Sequence, residues 1–153
     1  MLGKKFSLLK DQQAFSLVEI MAALTILGIV VGLVAVNVTG SLSKAKVQSA
    51  KIEISALVSA LEEYRRDCHR YPTTGEGLNV LVTKPDKCKN WKPGGYLAKK
   101  AIGRDPWDNE YLYYSPAVIA PGNKFEIISL GADGTEGGEE EDADINSNKM
   151  EVD

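Results

Sequence analysis

The sequence predicts an α+β protein in which one long N-terminal helix packs on a small antiparallel sheet. Three observations support this prediction: a long apolar run begins at residue 15, helical periodicity continues to about residue 67, and short turn-bounded segments rich in aromatic residues follow. The chain has 153 residues, and about forty belong to a leader and the apolar run. The remainder is enough for one domain of roughly 100 residues.

The apolar run covers residues 15 to 36, and as a helix it is long enough to cross about 30 Å of hydrocarbon. We predict residues 15–38 as the transmembrane half of the helix. The leader, residues 1–14, contains three lysines, and such bases tend to stay in the cytoplasm. The chain is then a single-pass membrane protein whose domain lies outside the cytoplasm. A secretory signal cleaved near Ser43 is the weaker alternative, since its apolar region usually has only about 7 to 15 residues.

Glu19 is the one charged residue in the apolar run. A carboxylate at the centre of a membrane helix costs about 2.5 to 3.5 kcal/mol on insertion scales, so it needs a partner. The alternative is that Glu19 lies near the lipid headgroups, where its side chain reaches water. That alternative accounts for the position of Glu19 but not for the retention of its charge.

Residues 39–67 are predicted as the domain half of the helix. No proline interrupts the chain before Pro72, and apolar residues recur at spacings of four and three. This spacing places them on one face of a helix. The predicted buried face consists of Ala50, Ile54, Leu57, Leu61 and Tyr64.

Residues 68–153 are predicted as an α+β globular region. Residues 75–82 suggest a brief helix, and residues 110–115 and 124–129 suggest two paired strands. The charge of this region is uneven, because residues 131–153 carry nine acids against the single base Lys149. A nucleic-acid partner is therefore not expected. The acidic end is either a solvated tail or a loop that gathers a cation.

Catalysis is not expected. The only histidine, His69, stands beside Cys68 and Arg70 at the predicted end of the helix. A catalytic triad or a histidine-rich metal site therefore has little to build on.

Cys68 and Cys88 are the only cysteines. Disulfides form in an oxidising compartment such as the periplasm, so we predict that these two residues are bonded. The bond closes a loop of about twenty residues and contributes on the order of 3 kcal/mol. The alternative is a pair of buried thiols.

Residues 10–33, with the sequence KDQQAFSLVEIMAALTILGIVVGL, resemble the N-terminal signal of type IV pilins and pseudopilins. The resemblance implies that a prepilin peptidase cuts between Ala14 and Phe15 and methylates Phe15. It also implies that Glu19 neutralises the terminal amine of a neighbouring subunit during assembly.

Four further motifs, at residues 71–78, 91–97, 105–113 and 129–145, follow in the order found in major pseudopilins of type II secretion, which they resemble. The resemblance implies a type IV pilin-like fold and a single-pass subunit of the bacterial inner membrane with a periplasmic domain. It implies that this subunit polymerises into a periplasmic filament driving protein export. It also implies as partners other copies of the chain, minor pseudopilins and the inner-membrane assembly platform. The alternatives are a type IV pilin for adhesion, motility or DNA uptake, and a membrane-anchored calcium-binding module that does not polymerise.

The loop of residues 130–144 combines acids with glycines that permit tight turns, which suits the six to eight oxygen ligands of calcium. The resemblance implies side-chain ligands from Asp133, Asp142 and Asp144 and carbonyl ligands from Leu130 and Thr135. Calcium is therefore the expected cofactor. The alternative is a solvated acidic loop without an ion.

Overall fold

The computed structural model describes residues 16–150, and it describes the side chains of that range except for residues 34–39. The elements within the range are a long helix, a 3₁₀ helix and three strands: α1 (Leu17–Cys68), the 3₁₀ helix (Leu78–Leu81), β1 (Leu112–Tyr114), β2 (Glu126–Ser129) and β3 (Ile145–Asn146). The chain divides into two compact units, one ending at Gly40 and the other beginning at Ser41. Helix α1 contributes residues to both.

In the second unit, α1 buries the face that its periodicity predicts. The five residues of that face are at most 6% exposed: Ala50, Ile54, Leu57, Leu61 and Tyr64. The helix ends at Cys68, one residue beyond the predicted boundary, where His69 takes a positive φ of 58°. Arg65 and Arg66 lie in the last turn, where cations interact favourably with the negative end of the helix dipole.

The sheet is antiparallel, with the strand order β1-β2-β3. Tyr113 of β1 pairs with Ile127 of β2, and Ser129 of β2 pairs with Ile145 of β3. Because β2 is the central strand, all four of its residues are buried. The structure confirms the predicted α+β fold with its small antiparallel sheet, and it adds β3.

Two tyrosine hydroxyls fix β1 alongside the second unit's part of α1. Tyr111, just before β1, donates to Glu53 Oε2 at 2.8 Å, and Tyr113 donates to the carbonyl of Pro72 at 2.9 Å. Burial and then the bond to Glu53 raise the pKa of Tyr111. Strand β1 therefore starts at the level of Glu53 and ends near the segment that follows the C-terminus of α1.

Candidate functional site

The first unit presents an apolar helix surface to its surroundings. Exposed large apolar side chains extend from Leu17, at 76% exposure, to Leu33, at 66%. Glu19 is exposed in the first turn, where the positive end of the helix dipole favours an acid. Ala14 and Phe15 lie outside the described residues. The surface thus combines one carboxylate with an apolar face that the described part of its own chain leaves uncovered.

Two glycines lie on this surface. A Cβ added at Gly28 or Gly32 would meet no atom within 4 Å, so both positions are open. Small residues four positions apart let another helix approach closely. In the described part of the chain, no helix meets both the length and the hydropathy that crossing a membrane requires. Part of the predicted span, residue 15 and the side chains of residues 34–38, lies outside the description.

The acidic loop of residues 130–144 connects β2 to β3 and closes on itself through its backbone. The amide of Ala132 donates to the carbonyl of Glu141 at 2.8 Å, and the amide of Asp144 donates to the carbonyl of Gly137 at 3.2 Å. Gly131 has a φ of 66°, and a Cβ there would lie 2.7 Å from the carbonyl oxygen of Asp142. The two sides of the loop therefore approach too closely for a larger residue at position 131.

The predicted ligands fall into two groups in this loop. Asp133, on the exposed side, accepts hydrogen bonds from the amide and the hydroxyl of Thr135 at 3.0 and 2.8 Å, and these bonds lower its pKa. Asp144, on the other side, accepts a bond from the amide of Gly137 through Oδ2 at 3.0 Å. Its second oxygen, Oδ1, is buried and has no hydrogen-bond partner. Asp142 is half-buried, and its amide donates to the carbonyl of Glu139 at 3.0 Å.

Asp144 offers one oxygen, Oδ1, that could contact a cation. A buried carboxylate oxygen without a partner is costly, and a bound cation supplies the partner it lacks. Across residues 16–150, however, no three His, Cys, Asp or Glu side chains are gathered closely enough to form a metal cluster. The predicted side-chain ligands Asp133, Asp142 and Asp144 are therefore not gathered in this conformation, and a cation would have to draw them together.

The turn of residues 105–109 supports the acidic loop from outside. Asp105 is buried and accepts bonds from the amides of Trp107 and Asn109 at 3.0 and 2.8 Å and from the hydroxyl of Ser129 at 2.6 Å. Asn109 then donates through Nδ2 to the carbonyl of Gly131 at 2.8 Å. The turn thus fixes the point where the chain leaves β2 and enters the loop.

Cys68 and Cys88 form a disulfide in the structure, with their Cα atoms 5.1 Å apart. The bond joins the last residue of α1 to the lysine-rich segment around residue 88. Tyr96 reinforces this junction, because its hydroxyl donates to Asp67 Oδ2 at 3.1 Å and accepts from the amide of Lys92 at 3.2 Å. The end of α1 is therefore tied to the segment by the disulfide and by the bond from Tyr96 to Asp67, and the bond from Lys92 holds Tyr96 in place.

An ion pair that the sequence did not suggest organises the turn after α1. Arg70 forms a bidentate contact with Glu76 at 2.6 and 2.7 Å, and the amide of Thr73 donates to the same carboxylate at 2.9 Å. The Arg70 hydrogen bond lowers the pKa of Glu76 to about 2 against the opposing effect of burial. The six-residue separation in an irregular turn follows no helical or strand spacing, so the sequence offered no signal for this pair.

A second unpredicted feature is the buried carboxylate of Glu126 in β2, which is 0% exposed. It accepts bonds from the amides of Val118, Ile119 and Ala120 at 2.6, 2.7 and 3.1 Å, and from Asn146 Nδ2 at 3.0 Å. Burial raises the pKa of this carboxyl, but the four hydrogen bonds outweigh burial, so the pKa is lowered. The signal in the sequence was an acid between the apolar residues of a predicted strand.

Two protein families match this chain. Residues 37–148 match the family described as type II secretion system protein G, and residues 9–35 match the prokaryotic N-terminal methylation motif. These two matches together span most of the chain, and they join the methylation motif to the domain in the order that the sequence predicts.

Relatives and a solved structure agree with the family matches. The type II secretion system core protein G of Pseudomonas aeruginosa is 45% identical over 89% of this chain and 94% of its own length. The protein of the same name from Vibrio cholerae is 43% identical over 90% of this chain and 92% of its own length. The crystal structure of the major pseudopilin from the type 2 secretion system of enterohaemorrhagic Escherichia coli matches with a TM-score of 0.61 and 33% identity. That match covers 74% of this chain and 96% of that structure's chain. This chain therefore belongs to the type II secretion system protein G family, whose members are pseudopilins and not enzymes.

Proposed function

We propose that this chain is the major subunit of a pilus-like periplasmic filament that drives protein export by type II secretion. The single observation that carries the proposal is the helix surface from Leu17 to Leu33, where exposed apolar side chains accompany one carboxylate, Glu19. Such a surface needs either lipid or other helices around it. A subunit that waits in the membrane and then packs in a filament uses both.

Maturation precedes assembly in this proposal. A prepilin peptidase removes residues 1–14 by cutting between Ala14 and Phe15 and methylates the new terminus at Phe15. The lysines of the leader hold it in the cytoplasm until then. Residues 15–38 anchor the subunit in the inner membrane as a single span, and the domain from residue 39 onward lies in the periplasm.

Glu19 guides each new subunit into the filament. Its carboxylate attracts the terminal amine of Phe15 in a neighbouring subunit. The two opposite charges then neutralise each other, so neither is left unpaired in an apolar environment. The partners of the chain are then further copies of itself, together with minor pseudopilins and the inner-membrane assembly platform.

Calcium stabilises the acidic loop before assembly. The ion would be held by the side chains of Asp133, Asp142 and Asp144 and by the carbonyls of Leu130 and Thr135. The buried, unpartnered Oδ1 of Asp144 supports this assignment. The ion supplies positive charge that lets several carboxylates lie close together.

A complementation assay of protein secretion tests the proposed function. The full chain is expressed in a bacterium whose own type II secretion system core protein G gene is deleted, and a secreted enzyme is assayed in the medium. We expect the wild-type chain to restore secretion and Glu19→Ala to fail at an equal level of processed protein. No restoration by a processed, membrane-bound wild-type chain would contradict the proposal.

A further inference from the structure

The β1–β2 loop, residues 115–123, is an apolar tip held rigidly on the domain. Its sequence, SPAVIAPGN, contains no ionisable residue, and Val118 and Ile119 are 65% and 43% exposed. Three consecutive amides of the loop are bonded to the buried carboxylate of Glu126. The loop is also closed by bonds between the backbone groups of Ala117, Ala120 and Asn123. A buried charge thus holds two apolar side chains out in solvent.

A small apolar recess lies at the other end of β1. It has a volume of about 170 Å³ and is formed by α1, by the segment of residues 97–103 and by Tyr111. Its apolar lining consists of Ala56, Leu57, Leu97, Ala98 and Ala101. A cavity of roughly 150 Å³ accommodates benzene, so the recess has room for one aliphatic side chain of four carbons, such as that of isoleucine.

The tip and the recess lie at different levels along α1. The recess is at the level of Glu53, which bonds Tyr111. The tip begins at Ser115, whose amide donates to Thr74 Oγ1 at 2.9 Å in the segment that follows α1 in sequence. The tip amides bond Glu126, which pairs with Tyr114 at the far end of β1, and three residues of strand separate Tyr114 from Tyr111 at the recess by about 10 Å. The tip of a copy therefore cannot fill its own recess.

We propose that the apolar tip of one copy of this chain binds in the recess of the next copy. The contact is head-to-tail and repeats from copy to copy along the filament. This contact rests on the proposed function, since it is an interface of the filament. A contact between two different surface patches does not close on a pair, and when its rotation does not form a ring it continues as an open filament.

Charge complementarity favours a second copy as the occupant. The lysines at the tip end, Lys84, Lys87 and Lys89, are exposed, and the Cys68–Cys88 bond holds their segment at the end of α1. The acidic loop lies at the opposite end, because Glu140 and Asp144 share a cavity with Val47 and Lys51 of α1. Stacking that brings the tip to the recess therefore also brings the lysines of one copy toward the acids of the next.

Disulfide trapping in assembled filaments tests the contact. In the full chain, Val118→Cys is combined with Ala98→Cys, and oxidation is followed by nonreducing gel electrophoresis. We expect dimers and higher multimers from this double variant. Neither single variant, nor Val118→Cys combined with Asn79→Cys outside the recess, should form them.

A charge at the tip provides an independent measurement. Assembly is measured as the amount of multimer captured by an amine-reactive cross-linker. Ile119→Asp should form at least about tenfold less multimer than wild type, while Ile119→Leu should form as much as wild type. Circular dichroism of the purified chain checks that Ile119→Asp is folded.

Two outcomes would overturn this contact alone. One is a double cysteine variant that assembles into filaments but forms no disulfide between copies on oxidation. The other is full assembly of Ile119→Asp. Failure of the wild-type chain to form multimers would overturn the proposed function as well.

Discussion

At the scale of single residues, three carboxylates hold the irregular parts of the domain in place. Asp105 fixes the turn before β1, Glu126 fixes the loop after it, and Glu76 fixes the turn after α1. Each accepts at least one backbone amide, which satisfies donors that neither helix nor sheet would pair. The small sheet is thus supplemented by side-chain bonds to the loops.

Glu76 makes the stability of the domain depend on pH. Its pKa is lowered from 4.5 to about 2, so the ion pair with Arg70 stabilises the folded state above pH 4.5. The stabilisation is lost as the pH falls from about 4.5 to about 2. We expect Glu76→Gln to lower the free energy of unfolding at pH 7 by about 1 to 2 kcal/mol, because the pair is partly exposed.

Thermal unfolding of the detergent-solubilised chain measures this effect. Glu110→Gln is the matched control, since Glu110 is 80% exposed and lies 3.5 Å from Arg104. The control should behave as wild type at every pH. If Glu76→Gln and wild type lost stability in parallel from pH 5 to pH 2, Glu76 would not be the group responsible.

The disulfide between Cys68 and Cys88 should stabilise the folded domain. Replacing both Cys68 and Cys88 by serine should lower the free energy of unfolding by about 3 kcal/mol, because the unfolded chain gains freedom. Mass spectrometry of alkylated protein, with and without reductant, should find both thiols blocked until reductant is added. Two free thiols in protein whose domain has been exported to the periplasm would contradict the prediction of a disulfide.

At the scale of elements, the sequence predicted what is periodic and missed what is irregular. The buried face of α1 follows helical spacing over many residues, and β1 and β2 lie within apolar segments bounded by turns. Strand β3 has only two residues and follows an acidic loop, so no alternation could reveal it. The site shows the same division, since the acids of the loop were evident but the bond between Asp133 and Thr135 depends on a local turn.

Calcium binding to the acidic loop should stabilise the folded domain. At a calcium concentration about 100 times the dissociation constant, binding adds about 2.7 kcal/mol to the free energy of unfolding. The Tm of the domain should then rise by about 10 °C, and excess chelator should reverse the rise. Calorimetry should detect binding heat that Asp144→Asn abolishes and that Asp86→Asn, an exposed acid outside the loop, retains. An unchanged Tm without binding heat would leave the loop as solvated surface.

At the scale of the whole molecule, the two units provide different parts of a filament subunit. The first provides an apolar helix with one carboxylate, and the second provides a domain with a tip, a recess and a loop of concentrated charge. Family membership connects both units to one pathway, because the methylation motif and the protein G domain occur in the same chain.

The start of the mature chain depends on where the leader is cut. N-terminal sequencing of the protein from the membrane fraction should begin at a methylated Phe15, because the proposed cut between Ala14 and Phe15 removes residues 1–14. In the proposed assembly, Phe15 then provides the amine that pairs with Glu19 of a neighbour. An intact Met1, or a start near Lys46, would remove the basis for pilin-like assembly.

Whether this chain polymerises can be tested by electron microscopy of filaments sheared from cells. The chain is produced together with a prepilin peptidase and an assembly platform, and filaments are labelled with an antibody against the domain. We expect labelled filaments from wild type and from Glu19→Asp, and at least about tenfold fewer from Glu19→Gln, because the amide carries no charge. Processed, membrane-bound wild-type protein without any labelled filament would contradict the proposal that it polymerises.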